Sequence, residues 1–278
     1  MGEILKGERH LNTIESLFSK QLLDLSITNS ESYPGWWPTV DRYRAQTFVW
    51  YDSWLAPCYS RVLTIEEHAG THFDSPSHFI PPPDSGLPYA GPAGEITVEK
   101  VPLDQLMGPA VTVDCRHLLN TSLPGESPII TIADMERWEA EHGRIQPGEV
   151  VLFSTGWTDD HYVPFPEGKR FVWDVFIEKT IPGWPAPGPE LMDWLDERGV
   201  RCVGTDTPSM GPVQADAETH WAGLGKGMVF VEKLVDLHKL KPRGAYFMFL
   251  PIKCEGSSGC PGRAIAFVDR DDQYKDID

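Results

Sequence analysis

Glycine and proline punctuate this chain from end to end, and that distribution limits what it can fold into more than any other feature. There are 25 of each among 278 residues. Proline removes a backbone donor and glycine weakens helix and strand interiors, so the chain is expected to be rich in loops. The breakers are spread along the sequence rather than gathered into a linker, so no domain boundary is marked. One loop-rich domain over residues 1–278 is the expectation. Pro81-Pro82-Pro83 is a stiff local turn, and the sequence carries no internal repeat.

Between the breakers, two helices are predicted. Thr131 precedes Ile132, Met135 and Trp138 at helical spacing, with Asp134 in the capping-box position and Gly143 as the stop. The second has Pro189 in its first turn, Leu191, Trp194 and Leu195 on one side, and Gly199 as its stop. Each is followed by a short β-branched run, 150–153 and 200–203, and that alternation marks α/β units. Further strands are predicted at 110–113, 228–231, 245–250 and 264–268. The fold class is therefore α/β, a mixed β-sheet core with peripheral helices.

Charge narrows the partners. Lys plus Arg number 24 against 41 Asp plus Glu, a formal net charge of −17. An acidic surface repels phosphate backbones and anionic lipid, so neither nucleic acid nor membrane is expected. No run approaches the roughly 18 apolar residues of a membrane span, and Met1 to Leu11 lacks the basic start and apolar run of a secretory leader. Five cysteines without CxxC spacing fit reduced thiols and a cytoplasmic enzyme.

The chemistry is concentrated in His68-Ala69-Gly70-Thr71-His72-Phe73-Asp74-Ser75-Pro76-Ser77-His78-Phe79. His68, His72, Asp74 and His78 all occupy even positions, which places them on one face of an extended chain. Fully extended, 68 and 72 would stand about 13 Å apart at about 3.3 Å per residue. That is a long reach for two imidazoles on one ion, and a bend or bulge at Gly70 would solve it. Gly70, Thr71 and Pro76 argue against a helix here. A lone histidine beside an apolar strand is usually a hydrogen-bonded structural residue. Three with an aspartate on one face point to a metal, and the donors suit Zn2+ and Mn2+ alike.

The same stretch resembles the HxGTHxDxPxHF signature of the cyclase family of metal-dependent hydrolases, which includes bacterial kynurenine formamidase, isatin hydrolase and a γ-lactamase. Weaker family-like stretches follow at 151–157, 203–209, 220–234 and 261–266. The first sixty residues resemble the family less and are expected to be an N-terminal extension. The resemblance implies the swivelling β/β/α fold, with His68, His72 and Asp74 on a first metal. It also implies His220 and Glu232 as ligands that complete a second site in two-metal members, so one or two ions are expected. His78 would either help hold the second ion or act as acid/base, and Glu232 could share that catalytic role. From the residues alone, 218–224 is a short helix closed by Gly225. A glutamate beside Lys233 is more often a solvated surface group.

An ion held by three side chains would activate water against an amide carbonyl, with His78 or Glu232 protonating the leaving nitrogen. The expected partner is a small amide: a cyclic isatin- or lactam-like substrate, or alternatively an aryl formamide. A lyase, a cyclisation catalyst or an inactive binder on the same scaffold is the competing class. Gly-x-Ser-x-Gly and GxGxxG are both absent. Trp36, Trp37, Trp50, Trp54, Trp157 and Trp184 are candidates to flank a flat substrate, although core packing is the default use of tryptophan. Asp206 is expected to bond its own turn backbone, and the resemblance adds a place in the pocket wall. Arg263 is an interior ion-pair partner or a loop anchor. The resemblance and the density of aromatics lead us to expect a homodimer.

Overall fold

The structure is a computed structural model that describes residues 19–34, 37, 43–51, 54 and 57–270. Its strands are β1 Gln21–Asp24, β2 Arg44–Val49, β3 Ser60–Thr64, β4 His72–Asp74, β5 Met107–Asp114 and β6 Ile129–Ile130, then β7 Val150–Ser154, β8 Ala186–Pro187, β9 Cys202–Thr205, β10 Val229–Glu232, β11 Tyr246–Pro251 and β12 Gly259–Val268. The α-helices are α1 Ile132–His142, α2 Trp157–His161, α3 Trp173–Phe176, α4 Pro189–Asp196 and α5 Asp216–Leu224. None of the described helices is long and apolar enough to cross a membrane.

Eight strands form one sheet in the order β1-β12-β11-β5-β7-β9-β10-β4, and β4 also pairs with β12. That last pairing closes seven strands into a barrel-like ring and leaves β1 on the outer part of β12. Strands β5, β7, β9 and β10 run parallel, joined by helical crossovers as the alternation of elements predicted. Both faces of these strands are covered, which is why they are continuous apolar runs rather than alternating ones. Val150 and Leu152 point into the ring with Phe73, Val231, Phe247 and Phe249. Val151, Phe153 and Val203 point outward under Met135 and Trp138 of α1 and Leu191 and Leu195 of α4. The result is a mixed α/β single domain.

Helix α1 begins as its sequence requires. The Asp134 amide donates to Thr131 Oγ1, and the Asp134 carboxylate accepts from the Thr131 amide. Gly143, at φ +86°, ends it. Helix α4 stops earlier than predicted, at Asp196, and Gly199 turns the chain three residues later. The strand expected at 200–203 accordingly begins at Cys202. Strands β2 and β3 form a separate hairpin.

Candidate metal centre

Strand β4 carries the centre. Period-two geometry sends Phe73 into the barrel core and turns His72 and Asp74 to the opposite side. Antiparallel pairing sets Glu232 opposite His72 and Phe230 opposite Asp74. The predicted single extended face is corrected here, because the strand spans only His72–Asp74. His68 is returned toward it by a turn through Gly70 at φ +70°, and His78 lies in a 3-10 turn, Pro76–His78. A Cβ at Gly70 would also collide with the Asn29 side chain. The two turns do what one straight strand could not: the His68 and His72 rings lie 5.1 Å apart and the His68 and His78 rings stack at 3.8 Å.

All six predicted site residues line one cavity of about 390 Å3, along with Lys233, Ser258 and Trp37. Asp74 Oδ1 lies 2.7 Å from His68 Nδ1 and 3.3 Å from His72 Nε2. His72 Nε2 is 3.6 Å from Glu232 Oε2. His220 Nε2 is 3.6 Å from Asp74 Oδ2 and 3.4 Å from Glu232 Oε1. Ligand-capable atoms fall into two groups that share Asp74, His68–Asp74–His78 and His72–Asp74–Glu232, each within 4.8 Å. Glu232 is 4% exposed, which corrects its reading as a surface group. The cause is β10, whose last residue is drawn into the centre by pairing with β4. The Met210 amide donates to its Oε1 at 2.7 Å.

Two histidines are held in a telling tautomer. His72 Nδ1 is 3.0 Å from the Gly70 carbonyl and His220 Nδ1 is 2.7 Å from the Asp216 carbonyl. A carbonyl only accepts, so each Nδ1 carries the proton. In the neutral ring Nε2 then presents a lone pair toward two carboxylates. Acceptors facing acceptors in a buried cage are reconciled by a proton on Nε2 or by a metal ion between them, and a backbone carbonyl on the far nitrogen is the usual support of a metal-binding imidazole. The donor set fits a divalent ion.

Protonation follows the same crowding. Burial works against the carboxylate of Asp74, but His78, His68 and His220 outweigh it and hold its pKa well below the usual range. Burial lowers His72, reinforced by Lys233, and brings His78 down to about 3, aided by the neighbouring rings against the pull of Asp74. For His220, Asp216, Asp74 and Glu232 overcome burial and raise it well above the ordinary value.

Several contributors are not evident in the sequence. Lys233, 5% exposed, donates from Nζ to the His68 carbonyl at 2.8 Å. Ser258 Oγ lies 3.0 Å from His68 Nε2 and donates to Glu67 at 2.6 Å. A lysine beside a glutamate resembles a solvated pair, and a serine among glycines carries no local signal. Asp206 is corrected: it does not line the cavity but accepts from the Thr155 and Gly156 amides and the Thr155 hydroxyl, fixing the turn into α2. Its partners are on β7's exit rather than its own turn. Arg263 is exposed and pairs with Asp24 across β1 and β12. Of the tryptophans, Trp37 lines the cavity, Trp157 and Trp184 are core, Trp50 and Trp54 are exposed, and Trp36 lies outside the described residues.

The sequence model of the Cyclase family matches residues 23–212. The chain is 28% identical over 211 residues to an isatin hydrolase of Roseibium aggregatum, covering 74% of this chain and 73% of that protein. It is 30% identical over 206 residues to a kynurenine formamidase of Salinibacter ruber, covering 73% and 77%. Its structure is similar to that of isatin hydrolase A from Labrenzia aggregata, with a TM-score of 0.77 at 26% identity over 95% of this chain and all of that one. A match over most of the chain, joined to the cage built around His72 and Asp74, makes this protein a member of the cyclase family of metal-dependent hydrolases.

Proposed function

We propose that this protein hydrolyses the C–N bond of a small cyclic amide of the isatin or lactam kind, holding one or two ions of Zn2+ or Mn2+ with His68, His72, Asp74, His220 and Glu232. The single observation that carries the reading is the buried cage in which His72 and His220 turn Nε2 toward Asp74 and Glu232. Bound there, a divalent ion supplies Lewis acidity and a water acidified toward neutrality. His78 takes a proton as the water oxygen bonds to the carbonyl carbon, and returns it to the nitrogen as the C–N bond breaks. Glu232 sits within reach of the same cavity and is the second candidate for that transfer. Trp37 offers an aromatic face at the cavity wall, braced by Phe176 at 4.8 Å. Cyclic amides rank first because the likeness to isatin hydrolase A extends over nearly the whole chain.

Aryl formamides are the second reading, favoured by the 30% identity to a kynurenine formamidase. Purified protein with measured metal content should open isatins or lactams faster than it deformylates formanilides. The reverse ranking selects the second reading, and elimination or cyclisation without hydrolysis overturns both. The working unit we propose is a cytoplasmic homodimer. Its support is five free cysteines and the β2–β3 hairpin, where Phe48, Trp50, Tyr51, Val62 and Leu63 are all more than half exposed. Apolar patches of that kind mark association surfaces.

A further inference from the structure

Cys254, in the loop between β11 and β12, and Cys260, at the start of β12, form a thiol pair that the proposed hydrolysis does not use. Cys254 and Cys260 are both free, with Sγ atoms 3.9 Å apart. Cys260 is 3% exposed and fixed inside the barrel by pairing opposite Phe73. Cys254 is half-buried, packs against the same core and can be reached from solvent. The five residues between them hold one face of the candidate metal centre. Ser258 Oγ contacts His68 Nε2 at 3.0 Å, and the Ser258 carbonyl accepts from the amide and hydroxyl of Ser75 at 2.8 and 2.7 Å. Gly259 lies flat against the His68 ring, so close that a Cβ there would collide with it.

We propose that Cys254 and Cys260 are a two-electron oxidation site that takes a small disulfide such as oxidised glutathione, and that closing it displaces the support of His68. The Cys254 sulfur attacks the small disulfide, forming a mixed disulfide and releasing one thiol. The Cys260 sulfur then attacks the Cys254 sulfur, forming the internal bond and releasing the second thiol. The two cysteine hydrogens end on the two released thiols, so the protein is oxidised and the small disulfide reduced. Bonded sulfurs stand about 2.05 Å apart, so the pair must close by roughly 2 Å. Cys260 is held within β12 by its pairing opposite Phe73 of β4. The movement therefore falls on Cys254 and the glycine-containing loop, where Gly256 already has φ +74°. In a reducing compartment such bonds form transiently and report oxidant, unlike the permanent bridges of secreted proteins. Ordinary buried thiols that only fill space would not respond in this way.

The effect on His68 rests on the metal-centre reading, whereas formation of the bond does not. The metal-loaded protein should be incubated with oxidised glutathione, digested under non-reducing conditions and mapped, and its metal retention followed during dialysis against a weak chelator. We expect a peptide cross-linked between Cys254 and Cys260 and about tenfold weaker metal retention, the usual weight of an outer support of a ligand. Both should be reversed by dithiothreitol. Cys254→Ala should keep its metal and show neither change. A stable mixed disulfide at Cys254, or unchanged thiols, overturns the oxidation site. A cross-link with unaltered metal retention overturns the coupling to His68. A protein that holds no metal before oxidation defeats the metal-centre reading, and the cross-link map still decides the chemistry of the thiol pair.

Discussion

Asp74→Asn is the sharpest test of the centre, because Asp74 belongs to both candidate ligand groups in this cavity while each of their other members belongs to one. The substitution keeps shape and volume and removes the charge that faces His68, His72 and His220 at 2.7, 3.3 and 3.6 Å. Loss of an outer support alone weakens metal binding about 10–100-fold. A carboxylate in direct contact with the site should reach or exceed the upper end, about 2.7 kcal/mol at roughly 1.4 kcal/mol per tenfold. Metal stabilises the fold in proportion to the logarithm of its affinity. At fixed metal concentration the variant should therefore lose about 2.7 kcal/mol of metal-dependent stability. For a domain of this size that lowers the metal-induced rise in Tm by about 5–11 °C, at roughly 2–4 °C per kcal/mol. The assays are elemental analysis of desalted protein and thermal melts with and without Zn2+ or Mn2+. Asp206→Asn is the control: also buried, it lies outside the cavity and should cost stability with its metal intact. If Asp74→Asn retains the wild-type metal load and the full metal-induced rise in Tm, the centre is not where the geometry puts it.

His78→Ala should keep its metal and slow turnover by roughly 10²–10⁴, the usual weight of acid–base catalysis; loss of one equivalent of metal would instead make His78 a ligand. Glu232→Gln should lower metal content and leave a stable fold, since the Met210 amide still finds an acceptor, and an unchanged metal load by elemental analysis would refute the ligand role. Metal-derived stability should be complete at mildly alkaline pH and disappear as pH falls toward about 5, because protons compete for the imidazole lone pairs. Melts across that range would refute this if the metal-induced shift stayed constant. Sedimentation of wild type should show a dimer, and Phe48→Asp with Trp50→Asp should give a monomer; a dimer unaffected by both moves the interface off the hairpin.

The sequence was most informative where local rules decide structure. Thr131 with Asp134 fixed the start of α1, and the apolar runs around Val150 and Val229 marked strands whose ends moved by only a residue or two. It was least informative where distant segments meet. Glu232 looked solvated beside Lys233 because nothing local reveals that β10 pairs with β4 and takes both residues out of water. Gly70 carried a usable signal, since the reach between His68 and His72 demanded a bend. Asp206 and Ser258 did not, because their partners, Thr155 and His68, come from other parts of the chain. His220 and Glu232 entered through the family resemblance, and spacing alone would not have joined them.

Barrel closure also determines when the candidate metal centre is first assembled. The pairings that seal β4 into the ring, His72 with Glu232 and Asp74 with Gly259, are made late along the chain, and His68 beside it meets Lys233 across 165 positions and Ser258 across 190. Such long-range closures come after local structure has formed, since their loop entropy must be met before the contacts return anything. During synthesis, His68, His72 and Asp74 emerge from the ribosome while β10 and β12 have yet to be made. The nascent chain then carries three strong donors with no cage around them. A metal ion that needs Glu232 as well as these donors would find its full cage only after the last sheet segment has been released.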